Sequence, residues 1–177
     1  MAESLIVPVA EISIAMATGI LAFFTYRLAN ETHKTTQEAR AASFRQIGVL
    51  TWLDLEKRFD STEMKLARRN LAAVMMHYQP HAHDVVSETV LNFFESVGIA
   101  YKTGYLDKEL TESSFSFYAC RWCEILKPYI EEERKRHNND TSIYEDFSDF
   151  AKAMIKPGEI IDKSELRRFL EDEHRAR

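Results

Sequence analysis

His77, His81 and His83, with Asp84 directly after them, are the densest group of potential metal ligands in the chain. Imidazole nitrogens and a carboxylate suit zinc and related divalent ions. The order His-x-x-x-His-x-His-Asp, however, crosses an expected helix end and Pro80, and it matches no established ligand spacing. Asp84 also has work available as a helix N-cap, so the plainer reading of the cluster is a polar connection. Cys120 and Cys123 form a Cys-x-x-Cys pair, which after a strand would be a redox motif. Here the pair falls inside an expected helix around Trp122, and cysteines in that setting usually pack as small hydrophobes. Glu11 stands alone in an apolar run. An ionisable residue in a membrane span is a functional candidate by default, but its place near the end of the run makes simple reach to water the easier explanation. With five glycines in all, the chain holds no phosphate-cradling loop and no nucleophile elbow. None of these motifs implies a cofactor.

These groups must be held by something, and the strongest positional signal is the start of the chain. From Leu5 to Tyr26 the only charge is Glu11. A helix of roughly 20 mostly apolar residues crosses a bilayer core of about 30 Å, so residues 1–27 are expected to be a membrane anchor that contacts lipid through residues 5–26. A cleaved signal peptide fits less well, because no basic residue precedes the run and Tyr26, Arg27 and Leu28 stand where small residues are wanted. A buried helix of a soluble protein is the other alternative, favoured by Pro8 and Glu11. Arg27, Lys34, Arg40 and Arg45 lie after the span, which places the N-terminus outside and the remainder in the cytoplasm, at an inner membrane. Ala15, Gly19 and Ala22 share a face on which two helices could approach closely.

The 28 acidic and 23 basic residues give a formal net charge of −5, and the chain stays acidic beyond Glu3 and Glu11. That argues against nucleic acid as a partner, since such proteins show a basic surplus. Beyond the anchor there is enough chain for one domain with a real core.

That part reads as helical throughout. Residues 28–43 form a polar stalk continuing the anchor helix, and residues 44–177 a helical domain. Phe44, Ile47, Thr51, Leu55 and Phe59 fall on one stripe, with Trp52 beside it. Asp60 with Glu63 suggests a capping box before Met64, Leu71 and Val74. Asp84 opens a helix burying Val90, Phe93, Phe94 and Val97, and Gly104 is placed for a left-handed C-cap. Asp107 leads into a helix with Phe115, Tyr118, Trp122 and Leu126 inward, which Pro128 should kink or divide. Ser142 with Glu145 and Asp162 with Glu165 are two further capping boxes, before Phe147 and Phe150 and before Leu166, Phe169 and Leu170. Arg68 or Arg69 is expected to pair with Glu95 between the second and third helices of the domain. The predicted class is an all-α bundle of about five to six helices behind a single transmembrane helix.

Trp52, Phe59, Arg68 or Arg69, Phe93-Phe94-Glu95, Gly98, Gly104-Tyr105-Leu106-Asp107, Trp122, Lys127-Pro128 and Arg134 succeed one another in this order. The series resembles a bacterial family of short membrane-anchored helical proteins of unknown function, over about half of the chain. The resemblance implies a single span and a cytoplasmic helical domain. It carries no established activity and no catalytic residue.

The leading functional expectation is therefore an interaction module at the inner membrane surface, binding a protein partner or itself. One alternative is a membrane-active oligomer or effector assembled through the anchor helix, resting on Glu11 and the Ala15/Gly19 face. Another is an enzyme or metal-binding domain using His77, His81 and His83.

Overall fold

The computed structural model describes residues 3–77, 88–156 and 161–176, without the side chains of residues 3–15 and 17. Among the described residues there are six helices and no strand: α1 (Glu3–Phe59), α2 (Thr62–Met76), α3 (Glu88–Lys102), α4 (Lys108–Arg136), α5 (Glu145–Met154) and α6 (Lys163–Arg175). The all-α class expected from the periodicity is the class observed. The chain divides into two compact units, Met1–Phe44 and Arg45–Arg177.

In the first unit α1 runs unbroken through the polar residues 28–43. Thr25, Thr32 and Thr36 fit this helix because their hydroxyls donate to the carbonyls of Leu21, Leu28 and Thr32, one turn back. Every described side chain of this unit is exposed, including Leu21, Phe23 and Phe24 at 60–65%. Among the described residues no helix is long and apolar enough to cross a membrane. The first half of the 5–26 run, with Glu11 and Ala15, belongs to α1 by its backbone, and its side chains lie outside the described residues.

The second unit packs α2 to α6 and the end of α1 around Phe93, Phe94, Phe115, Trp122 and Phe147, all essentially inaccessible. The stripe on α1 differs from the expected one. Gly48, Trp52, Leu55 and Phe59 face the core, whereas Phe44 and Ile47 face out. The phase is set by Gly48, whose missing side chain lets the Tyr105–Asp107 turn lie against α1, and by Trp52 Nε1, which donates to Ser114 Oγ at 3.2 Å.

Helix ends obey local chemistry where the cap is in the sequence beside them. Asp107 and Asp162 accept from the amides of Leu110 and Glu165, as expected. Gly104 takes φ +76°, and the amides of Gly104 and Tyr105 donate to Tyr101 and Ala100, a Schellman ending for α3. Two caps are reassigned. Ser61, not Asp60, caps α2 by accepting from Met64 N at 3.1 Å. Ser142 is held by Asp140 in a tight turn, so α5 starts at Glu145 behind Tyr144, which is left-handed and offers no side-chain cap. Pro128 does not divide α4, which stays helical on both sides of it, with Ile125, Leu126, Tyr129 and Ile130 buried around it.

Candidate functional site

Where α3 meets α5, the two backbones touch. A Cβ on Gly98 would lie 2.3 Å from the carbonyl oxygen of Asp146 and 2.9 Å from the amide nitrogen of Phe147. One turn earlier on α3, Glu95 accepts a 2.8 Å hydrogen bond from Phe147 N. An α-helix leaves its first amides without internal partners and carries partial positive charge there. Glu95 is therefore the missing cap of α5, supplied from another helix. Phe94 stacks on Phe147 with ring centroids 5.2 Å apart, and Lys102 pairs with Asp146 at 2.6 Å. The run Phe93-Phe94-Glu95 with Gly98 is thus the seat of α5.

This overturns the expected Arg68–Glu95 pair. Arg68 instead lies 3.1 Å from Glu173 of α6, with both side chains more than nine-tenths buried. Its guanidinium covers the Phe59 ring at 3.8 Å, and a cation over a ring in a dry place is worth about 2 kcal/mol. A second arginine repeats the pattern: Arg121 covers Phe117 at 3.7 Å and pairs with Glu165, also from α6. Glu165 consequently does not return to the start of α6 as a capping box would have it. Arg121, Glu165 and Glu173 were not legible as partners from local patterns, although the eight-residue spacing of the two glutamates around Phe169 puts all three on one face.

Glu95 and Glu173 both sit above the ordinary carboxylate value of 4.5, mainly because burial disfavours their charge. The folded chain thus holds these protons more readily than the unfolded one. Their contribution to stability is full below the ordinary value and is lost as pH rises through the folded values. Glu95→Ala, which strands the Phe147 amide, is expected to cost about 1–2 kcal/mol at pH 7. Glu95→Gln keeps an acceptor without a charge, so it should cost little and flatten the gain in stability between pH 7 and 5. Urea titrations at the two pH values decide this, and equal losses for both variants would refute the capping role.

The cysteine pair lines a cleft of ≈ 200 Å³ between α4 and α5, with Lys127, Arg134 and Lys152 among its charged walls. Cys120 is buried and Cys123 half-buried. Burial, then the charge of Glu124, pushes the Cys123 thiol up to about 11. A thiol in that range stays protonated at neutral pH, the opposite of an activated nucleophile. Arg134 is held by the Ile143 carbonyl at 2.9 Å.

The other candidates are scattered. His77 is the exposed C-cap of α2, and His81, His83 and Asp84 lie outside the described residues. Among the described residues no group of three His, Cys, Asp or Glu side chains is placed to hold a metal ion. Gly19 and Ala22 are exposed on α1, and the space around Gly19 is open. On the second unit's part of α1, Ile47, Leu50 and Leu53 are 42–57% exposed, away from the side that Gly48, Trp52 and Leu55 pack. A helix apolar on both sides normally has both covered.

A family model described as a domain of unknown function (DUF4760) matches residues 12–154. The chain belongs to the DUF4760 family. No curated protein and no solved structure matches it. The DUF4760 match takes in the α3–α5 crossing, the cysteine cleft and both arginines over their rings, and it ends before α6.

Proposed function

We propose that this DUF4760 protein is a helical protein-interaction module tethered to the inner membrane through residues 5–26, with residues 44–177 on the cytoplasmic side. One observation carries the reading: α1 leaves some of its large apolar residues uncovered in both units, although Leu55 and Phe59 are buried. Phe23 and Phe24 stand bare in the first, and Leu50 and Leu53 in the second. Exposed apolar groups grouped on one element mark contact with lipid or protein. The apolar, nearly uncharged run from Leu5 suits lipid, and the basic residues after it suit the cytoplasmic side. The short apolar band on the folded unit, set among polar residues, suits a protein.

Leu50→Glu with Leu53→Glu tests the protein half of this reading. Both positions are exposed, so the unfolding free energy should change by no more than about 0.5 kcal/mol. Affinity capture of the tagged full chain from detergent-solubilised membranes should then lose the stoichiometric partner that the unaltered chain retains. A partner retained equally by both chains would take the α1 band out of the proposal.

A further inference from the structure

We infer that the face of α2 and α4 beneath α6 is a docking groove for an acidic amphipathic helix of a partner protein, and that α6 is its displaceable occupant. The inference rests on other residues than the α1 band and stands or falls separately from it.

Three observations on α6 meet here. It is a 13-residue helix that buries only Phe169, Leu170 and Glu173, with Leu166 partly covered. It begins at Lys163, beyond the stretch that the family model matches. Its hold on the groove is an apolar pair flanked by two carboxylates, each meeting an arginine already laid on an aromatic ring. The groove therefore reads two acidic groups eight positions apart with a Phe-Leu pair between them, the pattern of an amphipathic helix laid into a groove.

The fit of α6 is also incomplete. Arg68 Nε is within ion-pair range of Glu173 but not aligned as a hydrogen bond, and Arg68 Nη1 has no hydrogen-bond partner among the described residues. Trp122 Nε1 is buried and has no hydrogen-bond partner among the described residues, although its ring packs edge-on against Phe169 at 5.3 Å. Buried donors are almost always paired, and a planar guanidinium is built to give two parallel bonds to one carboxylate. Among the described residues, the unaligned Nε and open Nη1 of Arg68, nine-tenths buried under one short helix, describe a site whose chemistry asks for more acceptor than Glu173 delivers. An acidic helix that aligned a carboxylate on Arg68 would satisfy what Glu173 leaves open. Tethering gives α6 a high effective concentration, so it holds the groove until such a competitor arrives.

The test uses the full chain in detergent and, as the probe, a fluorescent synthetic peptide of residues 161–176, which carries Glu165 and Glu173 on the face that meets the groove. Full chain carrying Phe169→Ala and Leu170→Ala, with its own α6 weakened, should bind the peptide at least tenfold more tightly than the unaltered chain. Glu165→Gln with Glu173→Gln in the peptide should weaken that binding at least tenfold. Equal binding by both chains, or none by a variant that still unfolds cooperatively, overturns the inference. If the variant fails to fold, hydrogen exchange on the unaltered chain decides. Amides of α6 should exchange at least tenfold faster than those around Trp122, because a displaceable helix opens before the core does; equal rates would make α6 part of the core. A dimer built by exchanged α6 helices, seen by light scattering, would overturn the assignment to a different partner protein.

Discussion

Replacing Gly98 by alanine is expected to remove at least about 3 kcal/mol of stability, the upper end of overpacking costs. The reason is what the new methyl group would meet. The nearest atoms are the Asp146 carbonyl carbon and oxygen and the Phe147 nitrogen, all main chain at the start of α5. No side chain can rotate away, so α3 and α5 must separate. Separation also lengthens the Glu95 cap on Phe147, the Phe94–Phe147 stack and the Lys102–Asp146 pair. The built-in control is Gly19→Ala, where nothing lies within 4 Å and alanine favours helix by about 1 kcal/mol. Urea unfolding of the two variants checks both statements, and a Gly98→Ala chain as stable as the unaltered one would refute the backbone contact.

Phe59→Ala is expected to cost about 3–5 kcal/mol, the range for deleting a buried aromatic ring. Phe59 closes α1, and its ring meets Phe93, Phe94, Phe115 and Tyr118 at centroid distances of 4.8–6.0 Å while carrying the Arg68 guanidinium. Its removal leaves a cavity and strips a buried cation of its ring. Phe59→Leu, which refills most of the space, should recover more than half of the loss. Thermal and urea unfolding would show this order. A small loss for Phe59→Ala would mean that the end of α1 is not part of the folded unit.

The sequence revealed most where cause and effect lie within one helical turn. Asp107, Asp162 and Gly104 end or begin helices through bonds that span three to five residues, and each does what its type and spacing predict. The buried aromatics of α3 and α4 were equally readable, because periodicity reports which face is apolar. Reading failed where the partner is distant in sequence. Glu95 serves an amide 52 positions away, and nothing near it distinguishes a cap from one half of an ion pair. On α1 the periodicity fits two stripes at once, since residues 44–59 carry apolar side chains on two sides of the helix. The choice between them fell to Gly48, a residue that adds nothing to a hydrophobic pattern. Pro128 leaves α4 undivided for a related reason: a lost hydrogen bond is outweighed when the residues on both sides of it are buried. The ordered series from Trp52 to Arg134 led to a family, and its buried members Phe59, Phe93, Phe94, Gly98, Leu106 and Trp122 belong to the packing of the second unit.

The measurement that bears most directly on the reading of this DUF4760 protein as a tethered interaction module is affinity capture from native membranes in mild detergent, comparing the tagged full chain with residues 28–177. The expected result is a second protein in stoichiometric amount with both chains, and membrane association of the full chain only. A homo-oligomer that forms with the full chain and disappears without the first 27 residues, with no second protein on either, would contradict it and point to an assembly made by α1 itself.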